Sequence, residues 1–187
     1  MAALNRQEQG ELLTLARNTI EKFLATANRD YPPQSSPVFG EKRGVFVTLH
    51  RDGELRGCIG YPLPYRPLWQ AVVDNAIAAA TEDPRFPAVT AAELPGLEIE
   101  ISVLTVPQKV DSHERVQVGR DGIIISKGFQ RGLLLPQVPL EQGWDLEQYI
   151  SYGCRKAGLA GDEWKKGVQI ETFQALVFNE KGSARNK

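Results

Sequence analysis

The feature that most constrains this chain is Asp52-Gly53, standing between two β-branched and aromatic-rich runs, Val45 to Leu49 and Leu55 to Ile59. An Asp-Gly pair accepts positive φ at both central positions of a two-residue turn, and the twist of that turn matches the strands on either side. The stretch therefore reads as a β-hairpin. With Asp52 and Gly53 as the loop, unbroken pairing sets Arg51 opposite Glu54, His50 opposite Leu55, Leu49 opposite Arg56 and Val47 opposite Cys58. Side chains alternate across a sheet, so Arg56 and Cys58 are expected on one face and His50 on the other. That leaves His50 badly placed as the base of a Cys–His pair, unless a bulge shifts the register.

The hairpin is set among helices. Leu12, Leu15, Ile20 and Phe23 make one apolar stripe on a helix predicted over roughly Glu8 to Thr26. YPPQSSP, Tyr31 to Pro37, breaks it into a loop. A second helix runs from about Pro67 to Thr81 and is stopped by Pro84 of DPRF. Thr90-Ala-Ala-Glu93 has the form of a capping box over a single helical turn. LEIEISVL then alternates Leu97, Ile99, Ile101 and Val103 against Glu98, Glu100 and Ser102, a strand with one buried and one polar face. Ile123 to Ile125 and Leu133 to Leu135 form a further predicted hairpin, joined by SKGFQRG. Asp145 and Gln148 cap a helix carrying Leu146, Tyr149, Ile150 and Ala157 and ending at Gly158. Val168 to Phe178 reads as one long closing strand, and 179–187 as a flexible tail. Hairpins mixed with helices, without strict strand–helix alternation, predict the α+β class with a largely antiparallel sheet flanked by helices.

Composition narrows the function classes. Across 187 residues the net charge is −1, with 24% charged and 42% hydrophobic side chains. A dedicated nucleic-acid binder carries a basic excess that is missing here. No apolar run reaches the roughly 20 residues that span a bilayer, and MAALNRQEQGELL lacks the basic and apolar regions of a signal peptide. The expectation is a protein of the cytoplasm, or of the nucleus in a eukaryote, with no membrane and no nucleic acid as partner. In a reducing compartment Cys58 and Cys154 stay free thiols.

Cys58 lies in LRGCIG, between Gly57 and Gly60 and two residues from Arg56. A strand cysteine beside glycines is most often a small buried packing residue. The nearby guanidinium points the other way, because a cation lowers a thiol pKa. An arginine in the core-facing register also needs an acidic partner or an anionic ligand, and Glu100 is a candidate partner. Arg85 of DPRF adds a second cation able to reach the same place, while Asp83 reads as a cap or turn residue and Phe86 as a core plug. The candidate site is thus Cys58 as a catalytic thiol, with Arg56, Gly57, Gly60, Arg85, Glu100 and Ser102 binding ligand. GxxxxGK[ST], GxGxxG after a strand and GxSxG are all missing from the sequence. The two cysteines and two histidines, His50 and His113, have no zinc-site spacing, and His113 in DSHER reads as solvated. No cofactor follows from these residues.

VFVTLHRDGELRGCIG, PLWQAVVDNAIAAATEDPRFPAV and LEIEISVLT, followed by GRDGIII, RGLLLPQV and GWDLEQYISYGCRKAGL, resemble the AMMECR domain family, called protein A of the AmmeMemoRadiSam system in microbes. The resemblance runs from about Leu12 to Phe178, with LRGCIG unaltered as its hallmark. It implies a two-lobed single domain, 12–178, with a larger lobe from both termini, a smaller lobe inserted and the hallmark near the groove between them. It also implies two partners, a Memo-like protein related to metal-dependent dioxygenases and a radical SAM protein. The chain has no three-cysteine cluster motif, so iron–sulfur chemistry would belong to the partner. Two functions follow. One is a protein that binds a small anionic ligand or a partner segment around Leu55 to Gly60. The other is an enzyme with Cys58 as nucleophile or general acid and Arg56 and Arg85 holding an anionic substrate. The lack of a base on the predicted Cys58 face leans toward binding.

Overall fold

The computed structural model describes residues 4–33 and 36–182. In chain order it contains α1 (Arg6–Thr26), β1 (Val45–Arg51), β2 (Glu54–Tyr61), α2 (Leu68–Thr81), β3 (Leu97–Leu104), β4 (Gln108–Val110), β5 (Gly122–Lys127), β6 (Gln130–Leu134), α3 (Val138–Gln142), α4 (Leu146–Lys156), β7 (Gln169–Phe173) and β8 (Ala175–Asn179). The class is α+β, with two four-stranded sheets in the orders β2-β1-β3-β8 and β4-β7-β5-β6. Pairing is antiparallel between β1 and its neighbours β2 and β3, and between β7 and its neighbours β4 and β5. The described residues fall into two compact units. One runs to Leu104 and resumes at Leu176; the other is Thr105–Ala175. No helix among the described residues is long and apolar enough to cross a membrane.

In the first unit α1 opens on a reciprocal cap. The Asn5 side chain accepts from the Glu8 N–H, and the Glu8 carboxylate accepts from the Asn5 N–H, which satisfies two of the amides a helix start leaves bare. Its buried stripe is Leu12, Leu13, Leu15, Ala16 and Ile20. Every residue of α2 from Ala71 to Ala80 is buried, because the helix packs against α1 on one side and β1 and β2 on the other. Val45, Val47 and Leu49 of β1 and Leu97, Ile99, Ile101 and Val103 of β3 fill the core beneath it. Fully burying a side chain of this size contributes about 1.5–3 kcal/mol. The opposite face of the same strands, with Phe46, Thr48, His50, Glu98, Glu100 and Ser102, is half-buried.

The second unit packs α4 on β5 and β6. Ile123, Ile124 and Ile125 are wholly buried, and the buried Tyr149 hydroxyl lies 3.1 Å from the Asp121 carbonyl oxygen. Gly132 permits the close approach, since a Cβ there would stand 2.3 Å from the Ala157 nitrogen. His113, expected to be solvated, is instead half-buried with its ring 4.5 Å from that of Trp164.

Two further expectations are corrected. Val168 to Phe178 is not one strand: it breaks at Gln174 into β7 and β8, which join different sheets. The break is held by Thr105, whose N–H donates to the Gln174 carbonyl at 2.9 Å while its hydroxyl oxygen accepts from the Gln174 N–H at 2.9 Å. The tail expected from 179 is also fixed at its start. Glu180 accepts from the Arg17 guanidinium and from the Ile99 N–H at 2.8 Å. Residues 183–187, and Gln34 and Ser35 of the YPPQSSP loop, lie outside the described residues.

Candidate functional site

The Asp52-Gly53 turn is as expected, with φ of 54° and 86°. Arg51 pairs with Glu54 and His50 with Leu55, but the register then shifts, so that Leu49 pairs with Gly57 and Thr48 with Cys58. Arg56 is the extra residue of a β-bulge. The reason lies in α2. Unbroken pairing would set Arg56 opposite Leu49 on the helix-covered face. Gly57 occupies that place instead, where even one added Cβ would stand 2.2 Å from the Ala79 carbonyl oxygen. Only a residue without a side chain fits under the helix, and the bulge delivers one.

The shift overturns the predicted faces. Cys58 leaves the core face and stands opposite Thr48, whose hydroxyl donates to its sulfur at 3.3 Å. His50, two residues from Thr48, is on the Cys58 face and not the far one. Glu100 pairs with Thr48 and Ser102 with Phe46 on the third strand, so both belong to this face. Strand spacing sets them about 10 Å from β2. The space beside Gly60 is taken by the Phe46 ring, 2.2 Å from where a Cβ would be.

Arg56 does not meet Glu100. Its Nε and Nη2 donate to Glu93 at 2.9 and 3.4 Å, and its Nη1 to the Pro87 carbonyl at 2.9 Å. Glu93 is the last residue of the predicted capping box, and its carboxylate also accepts from the Thr90 N–H at 2.8 Å. The Arg56 guanidinium, then the Thr90 N–H, pull the Glu93 carboxyl down to about 2. Arg56 is a pin between β2 and the segment before β3.

Asp83, read from sequence as a turn residue, is the centre of the site. β2 is an edge strand, so the outward N–H of Cys58 needs a partner. Asp83 Oδ2 accepts it at 2.8 Å. The same buried carboxylate takes Arg85 Nε at 2.9 Å and Nη2 at 2.7 Å, and the Arg85 N–H at 3.1 Å. These bonds, that to Arg85 foremost, hold the Asp83 carboxyl well below the usual carboxylate range despite its burial. The Arg85 guanidinium is raised in turn, first by its hydrogen bond to Asp83, which outweighs its partial burial. Arg85 remains 53% exposed. Phe86 is no core plug: it is half-buried, with the Arg56 and Arg85 guanidinium carbons 6.0 and 5.4 Å from its ring centre.

The arrangement thus presents a half-buried thiol, a hydroxyl donating to it and a half-exposed guanidinium held by a buried carboxylate. Such a guanidinium can take an oxyanion on its open edge. Both cysteines are free, and burial pushes the Cys154 thiol up, which leaves Cys58 the accessible one. Among the described residues no group of three or more His, Cys, Asp and Glu side chains is placed to hold a metal ion.

The family model for AMMECR1 matches residues 13–178, a span that contains every residue of the candidate site. The chain belongs to the AMMECR1 family. It is similar to a protein of Thermofilum pendens, 46% identical over 96% of this chain and 93% of that one, and to one of Methanocaldococcus jannaschii, 47% identical over 96% and 94%. It is also similar to the crystal structure of an uncharacterized protein from Pyrococcus horikoshii, with a TM-score of 0.81 and 43% identity over 95% of each chain. The names of these relatives carry no activity, so function has to come from the site.

Proposed function

We propose that this AMMECR1 chain is a binding protein, protein A of an AmmeMemoRadiSam-type system, acting in the cytoplasm or nucleus. It takes a small anionic ligand, or an acidic segment of a Memo-like or radical SAM partner, at Leu55 to Gly60. The observation that carries this reading is the shared carboxylate of Asp83, which ties the Cys58 backbone and the Arg85 guanidinium to one another. A cation fixed from behind, beside a thiol fixed on an edge strand, receives an oxyanion at little ordering cost. Arg85 is the anchor. Cys58, Thr48 and His50 line the face beside it, Arg56 and Gly57 set the strand, Gly60 keeps it low, and Glu100 and Ser102 bound the far side. The test measures association of the purified chain with each partner, with and without candidate anions. Arg85→Ala should remove binding while Cys58→Ser keeps it. Retention of full affinity by Arg85→Ala would end this reading.

A second reading is favoured by one specific observation, the bulge that brings His50 onto the Cys58 face. In it Cys58 is a nucleophile or general acid and Arg85 holds the substrate. A thiol titration by iodoacetamide rate against pH separates the two. A reactive Cys58 at neutral pH, suppressed in His50→Ala, supports chemistry, and an inert thiol supports binding.

A further inference from the structure

Away from Cys58, α2 carries a buried carboxylate of its own. Asp74 is 2% exposed, yet its Oδ2 atom accepts no hydrogen bond. Its Oδ1 is well served, by the Tyr31 hydroxyl at 2.6 Å and Arg29 Nη1 at 3.0 Å. Facing Oδ2 is Arg66 Nε, at 3.4 Å and out of line for a hydrogen bond. A buried carboxylate oxygen left without a donor is costly, so its neighbourhood is expected to supply one. Arg29 and Arg66 are 39% and 49% exposed at the side chain. Nη1 and Nη2 of Arg66 make no hydrogen bond among the described residues. Tyr61, half-buried at the end of β2, lies within the field of Asp74 and both arginines.

The geometry points to a binding site for a phosphate-type oxyanion formed by Arg29 and Arg66, with Asp74 as the carboxylate that aims them. Two guanidiniums converging on one internal carboxylate and open on their outer edges match a tetrahedral dianion better than a single carboxylate. An anion held on the outer edges of Arg29 and Arg66 leaves Arg66 Nε facing Asp74 Oδ2, where a small rotation of the guanidinium is enough to align the bond. Besides Asp74 itself, Glu82 is a second carboxylate in the cluster, 3.8 Å from Arg29 Nη2. Tyr31 meets Trp69 edge-to-face at 5.9 Å, which keeps Tyr31 over the carboxylate. This site does not depend on Arg85 or Cys58.

The experiment is calorimetric titration of the full chain with inorganic phosphate and, in a second arm, phenyl phosphate at low salt. Saturable one-to-one binding is expected. Similar affinity in both arms assigns the site to free phosphate, and clearly tighter phenyl phosphate assigns it to a monoester. Arg66→Ala should weaken binding tenfold or more with the thermal midpoint nearly kept, and Arg29→Ala should weaken it as much while lowering the midpoint, since it takes a donor from buried Asp74. Arg66→Lys should lose most of that affinity despite keeping the charge. Glu82→Gln should strengthen binding about two- to fivefold, which a merely structural latch would not do. Phosphate held at Arg85 would show as a separate event that Arg85→Ala removes and Arg66→Ala keeps, so the event assigned here is the one that survives Arg85→Ala. No saturable heat with either probe at millimolar concentration overturns the site, and so does binding of which no event survives Arg85→Ala.

Discussion

Asp83 shows how much one carboxylate can fix. Its two oxygens accept from the Cys58 N–H and from three donors of Arg85. Hydrogen bonds to a charged acceptor are worth about 1.5–3 kcal/mol, less where one partner is half in water as Arg85 is. Asp83→Asn keeps the shape, loses the charge and turns one acceptor into a donor facing Arg85. We expect a loss of about 1–3 kcal/mol in urea unfolding, with faster hydrogen exchange at the Cys58 amide. Unchanged exchange there would mean that Asp83 does not hold the edge strand. Arg56 differs in kind from Arg85. Its donors are taken by Glu93 and Pro87, and its side chain is 13% exposed. Arg56→Lys should therefore lower stability, through loss of the fork, while leaving anion affinity at Arg85 intact. A large loss of anion affinity in Arg56→Lys would reinstate Arg56 as a direct ligand.

At the scale of elements, the bulge in β2 decides which side chains share a face. Its cause predicts its sensitivity. Gly57→Ala sets a methyl 2.2 Å from the Ala79 carbonyl, backbone against backbone, so α2 or β2 must move. Overpacking of this kind costs about 1–3 kcal/mol, occasionally more. A Gly57→Ala variant melting with the parent would show that β2 is not pressed onto α2. The same bulge marks the limit of what was legible in the sequence. The hairpin was, because Asp52-Gly53 is a local signal and the turn needs nothing beyond its own residues. So were two of the three capping boxes among the described residues, at Glu93 and Gln148 but not at Glu8, and the buried alternation of β3. The register beyond His50 was not, because it depends on Ala79, far along the chain in another element. For the same reason Glu100 was a plausible partner of Arg56 and Glu93 the actual one. Glu93 already had a full local explanation in its cap, and nothing nearby announced its contact with Arg56. Asp83 in DPRF has an equally local explanation, as a turn residue before Pro84. The division of 168–178 into β7 and β8 likewise rests on Thr105, which no periodicity in that segment reveals.

For the whole molecule, acid is the condition that tests these pins together. Glu93, about 2 when folded against an ordinary 4.5, and Asp83, lower still against 3.8, both lie in the first unit. Asp121 in the second unit is also lowered: burial opposes its charge, but the Arg120 hydrogen bond and the Gln117 N–H outweigh it. A carboxyl lowered by folding binds its proton more readily in the unfolded chain. Its contribution is therefore complete above the unfolded value and is lost as pH falls toward the folded one. For Glu93 that contribution is at most about 3 kcal/mol. Stability should then be flat from neutral pH to about 5 and fall steeply from about 4.5 to 2. Trp69 belongs to the first unit, and Trp144 and Trp164 to the second, so fluorescence can report each in turn. In a Trp144→Phe/Trp164→Phe background, the Trp69 signal should follow the acid loss of the first unit. Adding Asp83→Asn and Glu93→Gln should lower the neutral-pH midpoint and flatten the fall below pH 4.5, since the groups that titrate are gone. A fall as steep as before in that variant would mean that acid acts on this chain through other carboxyls, and that neither pin governs its stability.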